Sequence, residues 1–307
     1  MELRHLRYFV AVAEEGSLTV AADRRLHTAQ PSLSRQIRDL EYEVGAQLLT
    51  RSARGIELTA AGRAFLDHAR LALAQTDAAV EAARRAARPA KASFALGFLT
   101  GQEMDWLPEA MHIIRDELPS IDVTVSSDYS PRLADDLTRG KLDLAILRPE
   151  PQMPDLEYKV VMTEPLVVVL PSDHRLASRK AIAIQDIANE TFLGMSKTAP
   201  TLRVIIDDYL KRSGVDIRAE HEVDNLGMAM SLVASTRGVT LLPAYAQNFL
   251  TRSVISRPLE GESPTIDLVI GYSKANTSPI LKLFLSKSDD LISRVASKLR
   301  AVANESG

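Results

Sequence analysis

The sequence predicts an α/β protein with three parts: an N-terminal winged helix-turn-helix, a long linker helix, and a C-terminal α/β domain of two lobes. Three observations predict this class. Residues 28–45 form an amphipathic helical segment, residues 59–87 form an alanine-rich segment without proline, and strand-like and helix-like runs alternate from Ser93 onward.

Composition limits the classes of protein to consider. The chain has 307 residues, of which 46% are hydrophobic and 25% charged, which indicates a folded protein of two or three domains. It has no cysteine, which excludes disulfides and thiolate metal sites and fits a reducing compartment. The charged N-terminus and the lack of any run of 18 apolar residues predict a cytoplasmic protein without a signal peptide or membrane span.

Charge is distributed unevenly along the chain. Residues 1–91 carry 14 basic and 11 acidic side chains, an excess of three positive charges, whereas the remainder carries 23 basic and 29 acidic side chains. A basic first part joined to an acidic second part favours a polyanionic partner for the first part.

Two short helices are predicted before residue 28. An apolar stripe at helical spacing predicts the first, which Gly16 ends: Leu3, Leu6, Phe9, Val10 and Ala13. Ser17 is placed to cap a second helix from Leu18 to Arg25. Ala21 and Ala22 are small, so that a following helix can approach closely.

The segment Thr28–Gly45 predicts the next helix, with Thr28 as its N-cap, Pro31 in its first turn and Gly45 at its end. One face is apolar, formed by Leu33, Ile37, Leu40 and Val44. The opposite face carries polar donors suited to phosphates and base edges, with Gln30 at its flank: Pro31, Ser34, Arg35 and Arg38. Taken alone, this segment fits an ordinary surface helix equally well. Two helices joined by a tight turn predict a helix-turn-helix.

Residues 47–59 predict two short strands around a basic turn. Leu49 and Leu58 bracket a polar stretch that carries Arg51, Arg54 and Gly55. Such a wing can place arginine in the narrow, negative minor groove of DNA. In isolation the stretch is better interpreted as a solvated hairpin, but its position after the preceding helix favours a wing.

The alanine-rich segment from Thr59 to Ala87 predicts one helix about 40 Å long. Apolar or small residues recur in it at alternating spacings of four and three, as in a coiled-coil seam: Phe65, Ala69, Ala72, Thr76, Ala79 and Ala83. We expect no neighbour for it within its own small domain, so a second copy of the chain is the expected partner. The alternative is a single helix packed on the next domain. Pro89–Lys91 is a hinge candidate.

From Ser93 onward the pattern of apolar runs predicts strands that alternate with helices. Such alternation indicates βαβ units and a parallel sheet. The predicted strands are 94–98, 121–125, 142–146, 165–170, 191–194, 217–223, 239–242 and 266–271, and the predicted helices are 107–118, 131–139, 201–212, 227–234 and 279–302. Two such sets imply two lobes with a cleft, onto which the carboxyl ends of strands and the N-termini of helices open.

Candidate ligand-binding residues lie at these positions around the predicted cleft: Thr100, Gly101, Ser130, Arg148, Thr201 and Leu202. Arg148 could bind a carboxylate with two parallel hydrogen bonds, and a surface salt bridge is an equal alternative for it. Helix capping is the alternative role for Thr100, Ser130 and Thr201.

Enzyme signatures are missing from the sequence. It contains no G-x-G-x-x-G, no phosphate-binding loop, no G-x-S-x-G and no H-E-x-x-H, and its six histidines lack ligand spacing. Neighbouring aspartates on predicted helices diverge and cannot share a proton. We therefore predict a protein that is not an enzyme, with no catalytic residues, no metal site and no cofactor.

The run AADRRLHTAQPSLSRQIRDLEYEVGAQLLTRSARGIELTAAG resembles the winged helix-turn-helix of LysR-type bacterial transcriptional regulators. LTRGKLDLAIL and LVASTRGVTLLP resemble segments of that family's effector-binding domain, which is similar to periplasmic binding proteins. The sequence departs from the family at Leu49, where phenylalanine is usual. The resemblance implies DNA contacts from Gln30, Ser34, Arg35 and Arg54. Residues on or near the same surface complete the predicted set: Thr28, Pro31, Ser32, Arg38 and Arg51.

The resemblance also implies domain bounds and partners. We expect the DNA-binding domain at 1–58, the dimerisation helix and hinge at 59–91, and the effector-binding domain at 92–307. Lobe I would comprise 92–163 and 268–307 and lobe II 164–267, with strands crossing between lobes near 162–163 and 265–268. The implied partners are dyad-symmetric promoter DNA, a small-molecule effector such as a carboxylate, a second chain in a homodimer or homotetramer, and RNA polymerase.

Two other functions compete with this interpretation. One is a solute-binding protein of the transport type with an added N-terminal domain, against which the expected lack of a signal peptide argues. The other is a lyase or transferase that uses the cleft.

Overall fold

The computed structural model describes residues 1–52, 55–87 and 93–305. The chain divides into two compact units, Met1–Ala87 and Arg88–Gly307. They are called the N-terminal unit and the C-terminal unit below. Within the described ranges, no helix is both long enough and apolar enough to span a bilayer.

The N-terminal unit contains helices packed against a small hairpin. Its elements in order are α1 (Leu3–Glu15), α2 (Leu18–Val20), a π-helical turn (Ala21–Leu26), α3 (Gln30–Val44), β1 (Leu49–Ser52), β2 (Gly55–Leu58) and α4 (Ala60–Ala87). Phe9, Leu33 and Leu40 are fully buried in its core, together with Ala21 and Ala22. The small pair therefore lies where close packing of helices was expected.

The helix-turn-helix differs from the prediction in detail. Ser17 does cap α2, because its hydroxyl accepts a hydrogen bond from the Val20 N–H at 3.3 Å. The predicted second helix is α-helical only to Val20 and continues as a π-helical turn to Leu26. The expectation that Thr28 caps the next helix is wrong. His27 takes a left-handed conformation with φ of 48°, and α3 starts one residue later than the predicted first turn, after Ala29.

The end of α3 is also only partly as predicted. Gly45 ends the helix in the left-handed conformation that glycine favours, with φ of 72°. Val44, which was assigned to the apolar face, is 36% exposed. It lies in the last turn, beyond the part of α3 that the core covers.

The wing is a two-stranded antiparallel hairpin in which Leu49 faces Leu58, as predicted. Residues 53–54 at its tip lie outside the described residues. After β2 the chain turns into α4, where the Thr59 hydroxyl accepts a hydrogen bond from the Gly62 N–H at 2.9 Å. A side chain at Gly62 would place its Cβ 2.0 Å from the Leu48 carbonyl oxygen, so only glycine fits there without movement.

The long helix α4 has a neighbour in its own unit over its first half, contrary to expectation. Phe65 packs edge-on against Phe9 of α1 with ring centroids 5.2 Å apart, and Ala69 is 2% exposed. Arg70 forms an ion pair with Glu14 of α1 at 2.7 Å. The later seam positions Ala72, Ala79 and Ala83 are exposed. The hinge candidate at 89–91 lies outside the described residues.

The C-terminal unit begins with a parallel arrangement. β3 (Ser93–Leu99) pairs in parallel with β4 (Asp122–Asp128) on one side and β5 (Leu144–Leu147) on the other. α5 (Glu103–Glu117) and α6 (Ser130–Thr138) connect these strands. The predicted βαβ units are therefore present here.

The remaining strands of the main sheet are antiparallel, so the prediction of a parallel sheet is only partly right. β6 (Leu156–Pro171) and β11 (Thr265–Ser273) pair antiparallel, and β9 (Thr240–Pro243) and β10 (Val254–Pro258) both pair antiparallel with β6. The segment that connects β5 to β6 contains no helix. Two parallel strands normally need a longer crossover connection between them, usually a helix.

A second small sheet lies in the same unit. β7 (Phe192–Met195) and β8 (Ala219–Val223) pair in parallel, and α7 (Pro200–Arg212) and α8 (Leu226–Thr236) follow β7 and β8 respectively. The predicted last helix is two helices, α9 (Pro279–Ser286) and α10 (Ser288–Glu305), separated at Lys287.

Separate apolar cores define two lobes in this unit. One core contains Phe98, Trp106 and Ile270, and the other contains Leu193, Ile206 and Val233. β6 and β11 contribute to both cores, because Val161 and Leu268 belong to the first while Leu166 and Ile266 belong to the second. The strands pass between lobes within these intervals, next to the positions predicted from the sequence.

Candidate functional site

The polar face of α3 is the first candidate site. Arg35 extends from it with 79% of its side chain exposed, and its nearest acidic partner, Asp39, is 4.0 Å away. The Arg38 Nε donates to the Ser34 carbonyl oxygen at 3.4 Å. Pro31 and Ser32 are also exposed. This face therefore offers charged and polar groups that are largely hydrated and have weak partners within the N-terminal unit.

The opposite face holds α3 in place. Leu33, Ile37 and Leu40 are at most 5% exposed in the core. His5 of α1 forms a hydrogen bond to the Gln36 side chain, with 3.0 Å between Nε2 and Oε1. Glu41 accepts hydrogen bonds from the N–H groups of Leu48 and Leu49 at 2.8 and 2.9 Å. Its carboxylate thus fixes the distance from α3 to the hairpin.

The predicted DNA-binding residues fall into two groups. One stretch at the start of α3 holds Thr28, Gln30, Pro31, Ser32, Ser34, Arg35 and Arg38, of which Thr28, Gln30 and Ser34 are half-buried. The hairpin carries the rest. The Arg51 backbone belongs to β1, whereas the Arg51 side chain and all of Arg54 lie outside the described residues. The hairpin is anchored to α1 through a 2.8 Å hydrogen bond from the Ile56 N–H to the Gly16 carbonyl oxygen.

The second candidate site is a cleft in the C-terminal unit, with about 710 Å³ of empty space when the open solvent at its mouth is included. It is lined by the ends of β3, β5, β7 and β8 and by the starts of α6, α7 and α8. Apolar side chains from both lobes contribute to its walls, including Leu99, Met195, Leu202, Leu226 and Leu242. A mostly apolar cleft with a few polar groups is the usual form of a small-molecule site.

Most of the predicted effector-binding residues line this cleft: Thr100, Ser130, Arg148, Thr201 and Leu202. Gly101, the remaining one, is not among the lining residues. It takes a φ of 96° and faces aromatic rings instead, since a Cβ there would lie 2.9 Å from the Phe249 ring and 3.2 Å from the Tyr245 ring. Close packing of these rings requires glycine at this position.

Hydrogen bonds fix the polar groups of the cleft. The Ser130 hydroxyl accepts from the Arg148 N–H at 2.9 Å, and the Thr201 hydroxyl donates to the Pro149 carbonyl oxygen at 2.9 Å. The second bond joins a residue of α7 to the chain that leaves β5. Thr100 accepts from the Ser127 hydroxyl at 3.2 Å. None of these contacts is the helix cap that the sequence allowed as an alternative.

Arg148 lies in a buried ion pair rather than the surface salt bridge considered from the sequence. Its guanidinium donates to the Glu164 carboxylate at 2.5 Å, and both side chains are 6% exposed. It also donates to the Ile266 carbonyl oxygen at 3.5 Å and lies 5.5 Å from the centre of the Tyr245 ring. The Tyr245 N–H donates to the other Glu164 oxygen at 3.2 Å. The positive charge of Arg148 is thus largely balanced within the protein.

Glu150 has the opposite environment, although it lies only two residues from Arg148. It is 8% exposed, and its Oε1 is sealed from solvent without a hydrogen-bond partner among the described residues. Burial raises the pKa of its carboxyl to about 7. Burial likewise raises the pKa of Tyr245 to about 12, against a smaller lowering effect of Arg148.

Several lining residues were missed by the analysis of the sequence: Tyr129, Glu150, Asp224, Asn225 and Tyr245. A usable signal existed for most of them. Glu150, Asp224 and Tyr245 follow the carboxyl ends of β5, β8 and β9 within three residues, so the rule that selected Arg148 would also have selected them. No cluster of metal-ligating side chains occurs in the part of the chain that the structure describes.

Comparison with protein families gives two matches that together span most of the chain. Residues 3–63 match the family described as "Bacterial regulatory helix-turn-helix protein, lysR family". Residues 87–287 match the "LysR substrate binding domain". The first range contains α3 and the hairpin, and the second contains the cleft.

Characterised relatives match over nearly their whole length. The chain is 36% identical to the HTH-type transcriptional regulator AlsR of Bacillus subtilis over 290 residues, which is 94% of this chain and 96% of AlsR. It is 37% identical to the Hca operon transcriptional activator HcaR of Escherichia coli over 287 residues, which is 93% of this chain and 96% of HcaR.

Solved structures of full-length relatives are also similar over nearly the whole chain. Full-length BenM is similar with a TM-score of 0.58 and 28% identity, covering 97% of each chain. Full-length CbnR in complex with its target DNA is similar with a TM-score of 0.55 and 26% identity, covering 95% of this chain and all of CbnR.

Proposed function

The chain belongs to the LysR family of bacterial transcriptional regulators, and from this premise we propose that it is a homodimeric regulator that binds dyad-symmetric promoter DNA under the control of a small carboxylate. Proteins of this family are transcriptional regulators that bind DNA and carry an effector-binding domain, and they are not enzymes. Beyond family membership, we propose three properties: which residues contact DNA, which oligomer forms, and which class of effector binds.

The exposed polar face of α3 supports DNA recognition more than any other single observation. Arg35 and Arg38 project from a helix whose other face is locked by Leu33, Ile37 and Leu40. A rigid helix with exposed donors can enter the major groove and contact base edges and phosphates. We propose Gln30, Ser34 and Arg35 as principal contacts, with Thr28, Pro31, Ser32 and Arg38 around them. Arg51 and Arg54 of the wing complete the proposed interface.

The long helix α4 supports the proposal that two chains act together. Its second half extends beyond the apolar core of the N-terminal unit and leaves Ala79, Val80 and Ala83 exposed, and Ala72, near the end of its first half, is exposed as well. Small residues allow close approach of a second helix. Two recognition helices in one dimer would meet half-sites about one turn of DNA apart. We propose residues 1–58, 59–91 and 92–307 as the functional domains, and a homotetramer and RNA polymerase as further assembly partners in the cytoplasm.

The form of the cleft supports a carboxylate effector. The helices α6, α7 and α8 begin at lining residues, and neither α6 nor α7 has a side-chain cap on its first N–H groups. Unpaired N–H groups at the start of a helix attract anions. The hydroxyls of Thr100 and Ser130 accept hydrogen bonds within the protein and keep an O–H that can donate to an anion, whereas the Thr201 hydroxyl already donates to the Pro149 carbonyl oxygen. Arg148 lines the same cleft, although its ion pair with Glu164 leaves it a secondary role in holding the anion.

DNA binding is tested by changing the most exposed arginine of α3. We expect Arg35→Ala to weaken specific operator binding about 10- to 100-fold, because one major-groove contact contributes on the order of 1–3 kcal/mol. Electrophoretic gel-shift titration at fixed salt measures the affinity, and thermal unfolding confirms that the variant is folded.

Arg218→Ala is the matched control, since Arg218 is an exposed arginine of the C-terminal unit. It should leave operator affinity within about twofold, given the weak effect of distant exposed charges. Equal affinities of Arg35→Ala and the unsubstituted protein would contradict the assignment of α3. A solute-binding protein would show no steep loss of duplex affinity with added salt, whereas a regulator should.

The effector class is tested by a thermal-shift screen of the full chain with small aliphatic and aromatic carboxylates. A carboxylate that binds the native state raises the melting temperature, and the rise grows with the logarithm of its concentration once the site is saturated. The corresponding primary amides serve as matched neutral compounds and should give little or no shift. Equal shifts with acids and amides would contradict a carboxylate effector.

A further inference from the structure

Glu150 is a buried acidic group of the cleft for which the described residues supply no partner at Oε1. Its side chain lines the cleft, is 8% exposed, and leaves Oε1 sealed and unpartnered among the described residues. Ionised carboxylates in proteins accept several hydrogen bonds, because the charged form loses its hydration on burial. The observed environment provides no such donors to Oε1.

The charges around Glu150 do not neutralise it either. On its own segment Arg148 is committed to Glu164 of β6 at 2.5 Å. Also on β6, the Tyr158 hydroxyl lies 3.4 Å from the Glu150 backbone and does not bind its carboxylate. The other titratable groups that line the cleft are Tyr129 before α6, Asp224 before α8 and Tyr245 after β9, whereas the first turn of α7 supplies none.

An anion entering this cleft would therefore meet an acidic side chain. Like charges within a few ångströms in a partly desolvated site repel strongly, so an ionised Glu150 and a bound carboxylate would oppose each other. A proton on Glu150 removes the repulsion and converts the carboxyl into a hydrogen-bond donor. Two carboxyl groups that share a site commonly hold one proton between them.

We propose that Glu150 binds the effector in its protonated form, donating a hydrogen bond from its carboxyl to the effector carboxylate, so that a proton from solvent enters the site with the anion wherever the free carboxyl is ionised. This inference rests on the proposed carboxylate effector. It makes the regulator respond to both the acid and the surrounding pH, with tighter effector binding in more acidic conditions. The raised pKa of free Glu150, about 7, would place this response near neutrality.

The sign of the pH dependence follows from linkage. Below pH 7 free Glu150 already carries the proton, so binding of an anion requires no uptake. Above pH 7 the proton must be acquired, and the affinity falls by up to tenfold per pH unit. For a pKa of about 7, the affinity should fall about tenfold between pH 6 and pH 8, with about 0.9 proton taken up per effector at pH 8.

Isothermal titration calorimetry of the full chain with benzoate and with acetate tests the proposal at pH 6, 7 and 8. Proton uptake is obtained from the heats in two buffers that differ in ionisation enthalpy. Both acids stay ionised over this range, since unperturbed carboxyl groups titrate near pH 4. A tenfold fall in affinity accompanied by proton uptake supports the proposal.

The variant Glu150→Gln sharpens the test, because its amide keeps a donor of the same size and cannot ionise. We expect its affinity to be independent of pH and to exceed that of the unsubstituted protein about tenfold at pH 8, with the two equal at pH 6. Glu220→Gln, at an exposed position of β8, is the matched control and should keep the full pH dependence. Tryptophan fluorescence from the buried Trp106 checks that both variants are folded.

The outcomes separate this inference from the proposed function. Binding of the acids with an affinity that does not change with pH, or that rises with pH, overturns the role of Glu150 and leaves a carboxylate effector in place. Binding that stays pH-dependent in Glu150→Gln overturns it too. No binding of either acid by either protein at any of these pH values counts against the carboxylate effector itself and the inference with it.

Discussion

The two units of this chain hold their candidate functional arginines in opposite ways. In the N-terminal unit Arg35 is 79% exposed, with its nearest acidic partner at 4.0 Å. In the C-terminal unit Arg148 is 6% exposed and bound to Glu164 at 2.5 Å. An arginine that meets a phosphate backbone can remain hydrated until DNA arrives, whereas one inside an apolar cleft requires a counterion for the protein to fold.

The two units differ in the event that removes water from their arginines, which is DNA binding in the N-terminal unit and folding in the C-terminal unit. Arg35 and Arg38 lose water only on binding, so folding of the N-terminal unit depends on the other face of α3. Arg148 and Glu164 lose water on folding, so the C-terminal unit depends on their pairing. Substitutions of the two arginines should therefore separate into effects on binding and effects on stability.

The largest expected effect follows from removing Arg148. Arg148→Met leaves Glu164 buried without its counterion, and we expect a loss of about 3–5 kcal/mol in the free energy of unfolding. Chemical denaturation followed by the fluorescence of Trp106, the single tryptophan of the chain, measures unfolding of the C-terminal unit.

Two variants control for this result. Arg218→Met, at an exposed position, should change stability by less than about 0.5 kcal/mol. Arg148→Met combined with Glu164→Gln removes the unpaired charge and should recover much of the loss. A loss below about 1 kcal/mol in Arg148→Met alone would show that folding of the C-terminal unit does not depend on the pair, and would contradict the difference drawn between the two units.

A smaller effect is expected from an added methyl group at a helix start in each unit. Gly62→Ala puts a Cβ 2.0 Å from the Leu48 carbonyl oxygen, so we expect about 1–3 kcal/mol of destabilisation, confined to the N-terminal unit. Gly227→Ala in the first turn of α8 is the matched variant, where the nearest atom would be 3.4 Å away.

Intrinsic helix propensity predicts the reverse order for Gly62, because alanine is normally favoured over glycine by about 1 kcal/mol. Hydrogen exchange measured by mass spectrometry, peptide by peptide, locates the effect. Faster exchange in α4 and the hairpin of Gly62→Ala, with no change in Gly227→Ala, is the expected result. An unchanged or stabilised N-terminal unit in Gly62→Ala would show that the contact with Leu48 is not restrictive.

The smallest expected effect concerns Glu14, the acidic group that joins α1 to α4. Burial opposes its ionisation, but hydrogen bonds from Arg70 and Arg25 outweigh burial, so the pKa of Glu14 is lowered in the folded state. Its contribution to stability is therefore complete above the unfolded pKa near 4.5 and is lost as the pH falls through the lower folded value.

Glu14→Gln should reduce the stability of the N-terminal unit at pH 7 by about 0.5 kcal/mol, since the partners are partly exposed, and should have a smaller effect at pH 3. Hydrogen exchange of α1 at the two pH values, corrected for the intrinsic rate, gives the difference. The same difference at both values would mean that the carboxylate charge of Glu14 does not contribute. Glu150 should behave in the opposite way, because its raised pKa makes ionisation unfavourable to folding as the pH rises through about 7.

The sequence alone was sufficient for the elements that depend on local pattern. The period of Leu33, Ile37 and Leu40 predicts which face of α3 is buried, and the burial of these residues confirms it. The capping of α2 by Ser17, the end of α3 at Gly45 and the pairing of Leu49 with Leu58 follow in the same way. These features are set by groups within a few residues of each other, and their chemistry can be derived from spacing.

Features that depend on distant groups were beyond the sequence. The partner of Arg148 lies 16 residues away on β6, and a further acceptor, Ile266, lies 118 residues away. Local rules could not show that α4 would pack on α1 through Phe65 and Phe9, or that β6 and β11 would run antiparallel. Thr28 is not the N-cap of α3, because the chain makes a left-handed turn at His27 and the helix begins one residue later, with Ala29 as its N-cap.

Hydrophobic period and turn chemistry act over short distances, so the amino-acid sequence is enough to predict the kind of protein, the order of its elements and the face of α3 that meets solvent. Which charges in the cleft are balanced depends instead on the folded arrangement of distant segments. Arg148 is neutralised by Glu164, whereas Oε1 of Glu150 has no partner within the described ranges, and this difference arises from which strands and helices surround each side chain after the two lobes have folded. Desolvation and pairing are properties of that surrounding three-dimensional packing, so two acidic residues that look equivalent in the sequence occupy different electrostatic environments in the folded protein.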